Sequence, residues 1–133
     1  MIVQIDHVTL NVESADVCVE FYTKVLGLAP ENYEEWKKGE ARFPSVRINA
    51  DNMIHFFPPE MWEELGDYIR APGKVNHVCL AFEKNEWDVL LERLEVNQVE
   101  VRGPFILMGS HGKGKSIFIN DPEGFTIELK VYE

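Results

Sequence analysis

The segment Ile5–Leu10, IDHVTL, returns later in the chain as Val75–Leu80, VNHVCL, so that the histidine at position 7 recurs at position 77. Both segments alternate aliphatic side chains with polar or small ones, which is the period of a β-strand with two different faces. The recurrence predicts an internal repeat of two similar modules.

Each segment precedes a helical pattern and then three strand-like stretches. The first half is predicted to contain a strand at Ile5–Val12, a helix from Ser14 to Leu28, and strands at Glu34–Lys37, Ser45–Asn49 and Met53–Phe57. The second half is predicted to contain a strand at Val75–Phe82, a helix from Asn85, and strands at Glu100–Arg102, Ser116–Asn120 and Thr126–Val131. We therefore expect modules at 1–59 and 74–133, joined by a connector at 60–73 with a short helix at Met61–Leu65.

The fold class that follows is α+β. Each module alone is too small to bury its own sheet face well. We expect the two βαβββ modules to form one curled mixed sheet, a cup with the helices outside.

Composition and charge exclude several functions. The 133 residues are 45% hydrophobic, enough for a real core, and 13 Lys and Arg face 23 Asp and Glu, a net charge of −10. So acidic a surface repels phosphate backbones and anionic lipids, which excludes nucleic acid and membranes as expected partners. No apolar run approaches the ~20 residues of a membrane-spanning helix. With no visible signal peptide and two separated cysteines, we expect a cytoplasmic protein.

Strand parity places four metal-binding side chains on one side of the predicted sheet. His7 and His77 alternate with apolar residues that face the helices, and the same alternation puts His55 and Glu128 on the side away from the helices. Neutral imidazole and carboxylate suit divalent Zn, Ni, Mn, Co or Fe. A lone strand histidine is more often structural, but the shared parity and repeat-related placement favour an open, catalytic metal site.

A second pattern, Gly109–Ser116, matches the letters of a phosphate-binding loop, GxxxxGKS. Such a loop must lead into a helix whose amides hold the phosphates, whereas a strand pattern follows here. We therefore reject phosphate binding of this kind and expect a flexible glycine-rich loop. Its His111, Lys113 and Lys115 either contact an anionic substrate or are simply solvated.

Over almost its whole length the chain resembles the vicinal oxygen chelate superfamily, which includes glyoxalase I, methylmalonyl-CoA epimerase, fosfomycin- and bleomycin-resistance proteins and extradiol dioxygenases. The motifs that carry the resemblance are Asp6–Val12, Phe21–Leu28, Asn76–Val78 and, most specifically, Ser116–Leu129. In that family the metal ligands come from the first and last strands of each module. The resemblance implies that His7, His77 and Glu128 are ligands and that His55 occupies the more variable fourth position.

The sequence differs from individual members of the family at positions that bear on the choice of reaction. Glyoxalase I usually has a glutamate at the position of His55, which disfavours the glyoxalase reaction. Thr9 matches a threonine of the fosfomycin-resistance proteins, but no arginine follows Glu128, which disfavours that transferase. The additional histidine and tyrosine of extradiol dioxygenases are matched by His111 and Tyr132 in residue type only.

The expected function is that of a metal-dependent enzyme on a small-molecule substrate. The metal would chelate adjacent substrate oxygens and stabilise an enolate or alkoxide, with Glu128 or a metal-bound water moving the proton and Thr9 as a second catalytic candidate. Lyase, isomerase and dioxygenase reactions all stay open. The resemblance also implies a homodimer. The alternative is a metal-free protein that sequesters a ligand, as bleomycin-resistance proteins do.

Overall fold

The computed structural model describes residues 4–65, 75, 77–109 and 111–133, and the chain divides into two compact units, Met1–Pro72 and Gly73–Glu133. The elements of the first unit are β1 (His7–Asn11), α1 (Ala15–Lys24), β2 (Ala29–Glu31), α2 (Tyr33–Lys37), β3 (Ser45–Arg47), β4 (Met53–Phe57) and α3 (Pro59–Leu65). Its sheet has the order β1-β4-β3-β2, with β1 parallel to β4 and the other pairs antiparallel.

The second unit repeats this topology. Its elements are β5 (Val78–Phe82), α4 (Lys84–Val96), β6 (Arg102–Gly109), β7 (Gly112–Asn120) and β8 (Thr126–Val131). The sheet order is β5-β8-β7-β6, and β5 is parallel to β8. Two βαβββ modules, each with a mixed four-stranded sheet, therefore confirm the predicted α+β class. No helix in the described ranges is long and apolar enough to cross a membrane.

Alternation along β4 separates the core of the first unit from the face that carries His55. Ile54 and Phe56 are buried, whereas Met53, His55 and Phe57 are only partly covered. The Phe56 ring contacts Tyr22 of α1 at 5.0 Å between centroids, so the buried face of β4 is the face covered by the helix. His55 therefore lies on the opposite face, as strand parity requires.

The strand predicted at Glu34–Lys37 is wrong, because this segment forms helix α2 and the strand of this region is β2. Asn32 adopts a left-handed conformation with φ 59°, which turns the chain out of β2 and into the helix. Acidic residues fill the first helical turn, where the helix dipole favours them. The hydroxyl of Tyr33 also donates a hydrogen bond to Oδ1 of Asp16 at 2.5 Å, tying the short helix to α1.

The prediction of a flexible loop at positions 109–115 is also wrong. Strands β6 and β7 form a tight hairpin there, in which Gly109 pairs with Gly112. The strand predicted at Glu100–Arg102 begins instead at Arg102. Glycine is needed in the hairpin for packing. A Cβ at Gly109 would collide with the Tyr132 hydroxyl, and one at Gly114 would lie 2.9 Å from the Val131 carbonyl oxygen. The strand predicted after this motif is confirmed as part of β7, so the motif does not lead into a helix.

The remaining strands lie close to their predicted positions. β4 and β8 have the predicted bounds, while β1, β3 and β7 differ by a few residues at one or both ends. Residues 66–73 of the predicted connector, together with Lys74 and Asn76, lie outside the described residues. The strand predicted at Val75–Phe82 is β5, Val78–Phe82.

Candidate active site

In the first unit His7 is oriented by its sequence neighbour. Nδ1 of His7 lies 2.8 Å from Oδ2 of Asp6, and this hydrogen bond lowers the pKa of the Asp6 carboxyl. When Nδ1–H donates to the carboxylate, the lone pair of the neutral ring is on Nε2. A carboxylate that fixes a histidine tautomer in this way is the usual second partner of a metal-binding imidazole.

His55 lies in an aromatic stack on the same sheet. Its ring centroid is 4.3 Å from that of His7, with 17° between the planes, and 4.9 Å from that of Phe43, with 30° between the planes. Burial, followed by the nearby His7, lowers the pKa of His55. A lowered pKa favours the neutral imidazole, which is the form that binds metals. His55 therefore has a packing role, and its role as a metal ligand stays a prediction.

In the second unit Glu128 is buried in the middle of β8, with 7% of its side chain exposed. Four groups surround its carboxylate. Oε1 faces Nε2 of His77 at 3.4 Å. Oε2 accepts hydrogen bonds from Sγ of Cys79 and Oγ of Ser116, both at 3.1 Å, and lies 3.5 Å from Nζ of Lys130.

These neighbours decide the charge of Glu128. Burial alone raises its pKa, but the hydrogen bonds from Cys79 and Ser116 and the positive charge of Lys130 outweigh burial, with a smaller effect of His77. The net pKa of Glu128 is therefore below its usual value, and the carboxylate is ionised at neutral pH. A buried anion with fixed donors can act as a metal ligand without first losing a proton.

The same strand register recurs at the two sites. In the first unit Thr9 of β1 is the parallel partner of His55, and in the second unit Cys79 of β5 is the parallel partner of Glu128. The repeat therefore relates His7, Thr9 and His55 to His77, Cys79 and Glu128. Thr9 is half-buried on the strand of His7, which places it beside the candidate ligands of its unit but leaves its catalytic role a prediction.

The donor set in the second unit fits a divalent cation. Two bonds of about 2.0–2.2 Å, the lengths typical of nitrogen and oxygen ligands of zinc, can span the 3.4 Å between Nε2 of His77 and Oε1 of Glu128. Within the described ranges, no group of three or more His, Cys, Asp or Glu side chains forms a metal site. The full set of His7, His55, His77 and Glu128 therefore stays a prediction.

His111 and Tyr132, the residues matched by type to dioxygenases, contact each other. The backbone N–H of His111 donates to the Tyr132 hydroxyl at 3.3 Å, and the rings meet edge-on at 5.3 Å.

Sequence reasoning did not assign the residues that hold Glu128. In the sequence, Ser116 only ends the GxxxxGKS pattern and begins a predicted strand, and Cys79 is simply one of two separated cysteines. One signal was available: Lys130 stands in β8 between Leu129 and Val131, and a lysine inside an apolar strand needs a buried partner. Glu128, two residues earlier, is on the same face of the strand.

The hydrogen bond between Cys79 and Glu128 makes a prediction about thiol reactivity. Partial burial of the thiol, together with the hydrogen bond to the Glu128 carboxylate, raises the pKa of Cys79 to about 12, although the residue as a whole is exposed. Because the thiolate is the reactive form, we expect iodoacetamide at pH 8 to modify Cys79 at least ~100-fold more slowly than an ordinary cysteine. In Glu128→Gln the rate is expected to rise about 10-fold, since the anion beside the thiol is lost.

Peptide mass spectrometry measures this rate at each cysteine. The buried Cys18 serves as the internal control and should stay unmodified in both proteins while they are folded. Rapid modification of Cys79 in the parent protein would contradict the hydrogen bond to Glu128.

Comparison with known proteins agrees with this architecture. Residues 4–129 match the family model described as the Glyoxalase/Bleomycin resistance protein/Dioxygenase superfamily. The virulence protein STM3117 of Salmonella typhimurium is 29% identical over 129 residues, which cover 97% of this chain and 84% of that protein.

Solved structures share the fold. The crystal structure of STM3117 superposes with a TM-score of 0.76 at 24% identity, covering 100% of this chain and 99% of that one. The fosfomycin resistance protein FosX of Mesorhizobium loti gives 0.64 at 17% identity, covering 100% and 95%. Lactoylglutathione lyase of Agrobacterium tumefaciens gives 0.62 at 21% identity, covering 96% and 92%. The chain belongs to the Glyoxalase/Bleomycin resistance protein/Dioxygenase superfamily.

Proposed function

We propose that the protein is a metal-dependent enzyme that acts on a small molecule with two adjacent oxygen atoms. Its metal ligands are His7, His77 and Glu128, with His55 as a variable fourth. The observation that carries the proposal is the buried, ionised carboxylate of Glu128, with Oε1 facing Nε2 of His77 at 3.4 Å. Membership of the superfamily supports it.

The bound metal would supply Lewis acidity, withdrawing charge from substrate oxygens. The protein residues prepare for this. Asp6 orients His7 so that Nε2 is the donor atom. The donors around Glu128 keep it ionised before the metal arrives. The hydroxyl of Thr9 would donate a hydrogen bond to a substrate oxygen. That bond would become stronger as negative charge develops on the oxygen.

The class of reaction is a lyase, isomerase or dioxygenase reaction, which share this electrostatic requirement. We further propose that the protein is cytoplasmic and a homodimer, as its superfamily suggests.

Metal content tests the proposal directly. Protein purified without added metal is analysed by mass spectrometry for bound metal, then titrated with Zn, Ni, Mn, Co and Fe(II) by calorimetry. We expect one divalent ion per chain. Replacing a metal ligand, in His77→Ala or His7→Ala, is expected to weaken binding by about 100-fold or more.

The matched control is His111→Ala, which removes a histidine that the proposal does not use. All variants are compared by far-UV circular dichroism to establish that they are folded. A parent protein that binds none of these metals would contradict the proposal, as would an equal loss of affinity in His111→Ala.

The alternative function is metal-free sequestration of a ligand. The stack of Phe43, His55 and His7 favours it, because the rings contact each other and the partly exposed His7 at the end of the stack offers an aromatic face to a planar ligand. A folded parent protein without metal affinity would favour this function.

A further inference from the structure

We propose that Lys130 is a positioning residue that fixes the direction in which Glu128 offers its carboxylate. With Ser116 and Cys79, it occupies Oε2 and so leaves Oε1 as the oxygen that Glu128 presents beside His77. The proposal rests on the proposed function, since it concerns how Glu128 meets a metal ion.

Lys130 is buried as deeply as the apolar residues around it, with 2% of its side chain exposed. A buried ammonium is costly unless its charge is paired and its protons are bonded. Nζ donates to the carbonyl oxygen of Leu107 at 2.8 Å and lies 3.5 Å from Oε2 of Glu128. The carbonyl of β6 and the carboxylate of β8 therefore fix Nζ from two sides.

The two oxygens of Glu128 are consequently not equivalent. Oε2 receives the Cys79 thiol and the Ser116 hydroxyl and lies nearest the Lys130 ammonium, whereas Oε1 faces His77. A carboxylate oxygen has about two lone-pair sites, so Oε2 is already fully used. Glu128 can then bind a metal through one oxygen only.

The glycine at position 109 makes room for this arrangement. A Cβ there would lie 3.0 Å from Cε and 3.2 Å from Cδ of Lys130, besides colliding with the Tyr132 hydroxyl. Gly109, the first residue of the GxxxxGKS pattern, therefore leaves space for the Lys130 side chain to pack against the hairpin and reach Glu128.

Lys130→Met tests the proposal, since it keeps the length of the side chain and removes the charge. The metal used is Co(II), whose visible spectrum reports the number and geometry of its ligands. We expect Lys130→Met to bind Co(II) about 10–100-fold more weakly, the usual effect of losing an outer partner of a ligand. We also expect a changed spectrum, because without the ammonium that anchors Oε2 the carboxylate of Glu128 can turn and meet the metal in a different orientation.

The matched control is Lys115→Met, which removes a lysine of β7 that pairs with the exposed Glu133 at 3.8 Å. It should leave both affinity and spectrum unchanged. Ser116→Ala is a milder variant that removes one donor to Oε2 and no charge, and it is expected to weaken binding several-fold. It carries the test if Lys130→Met does not fold.

Metal-free crystals separate this proposal from the proposed function. In Lys130→Met/Ser116→Ala the carboxylate of Glu128 is expected to rotate away from its parent position, whether or not the parent protein binds metal. An unmoved carboxylate would overturn the inference. So would Co(II) affinity and spectrum in Lys130→Met that equal those of the parent protein. A parent protein that binds no metal, with the carboxylate rotated in the variant, would instead overturn the proposed function alone.

Discussion

Glu128→Gln is expected to lower the free energy of unfolding by about 3–5 kcal/mol, the usual cost of removing one partner from a buried ion pair. Glutamine keeps the size of the side chain but leaves the Lys130 ammonium without its counterion. Only 2% of the Lys130 side chain is exposed, so water does not solvate its ammonium group. The Leu107 carbonyl accepts a hydrogen bond from that group but does not neutralise its charge. Urea unfolding followed by circular dichroism measures the change.

A second substitution identifies the cause. In Glu128→Gln/Lys130→Met the stranded charge is gone, so most of the lost stability is expected to return. Glu133→Gln is the matched control, since it makes the same chemical change in the exposed pair with Lys115. It should shift stability by less than about 0.5 kcal/mol. A double variant no more stable than Glu128→Gln would show that the lysine is not responsible.

The hydrogen bonds from Cys79 and Ser116 and the charge of Lys130 also make stability depend on pH through Glu128. The folded-state pKa of Glu128 is lowered from the ordinary value of 4.5. Its stabilising contribution is therefore complete above pH 4.5 and is lost as the pH falls through the lower, folded-state pKa. We expect this part of the acid dependence to be missing in Glu128→Gln.

Much of the fold could be predicted because the repeat carries strong periodic signals. β8 alternates strictly and β4 is an apolar run interrupted by His55, and both were predicted with correct bounds. The segment at Tyr33–Lys37 has no such alternation, and in five residues a helical turn and a strand cannot be told apart by period. The hairpin of β6 and β7 was missed because its glycines looked like a flexible loop, whereas they fit around Tyr132 and Lys130.

For the candidate site, the alternation of residues along each strand predicts which side chains share a face of the sheet and nothing more. Parity names the face of each strand, and the structure confirms that face for His55 within the first unit. For Glu128 the face stays a prediction, because β8 is buried on both sides. Parity gives no distances, so it could not show that His55 stacks on Phe43 or that three donors converge on one oxygen of Glu128. Those contacts depend on the register between strands, which one strand's sequence does not determine.

Adjacent residues of β4 offer a sharp test of that parity. Phe56→Ala is expected to destabilise the protein by about 3–5 kcal/mol, since its fully buried ring packs on Tyr22 and its loss leaves a cavity. His55→Ala, one residue away, removes only partly exposed stacking contacts and should cost about 1–2 kcal/mol. The two values come from the same urea unfolding measurement. Equal costs would mean that β4 does not separate a core face from the face of the candidate ligands, and His55 would then lose its place among them.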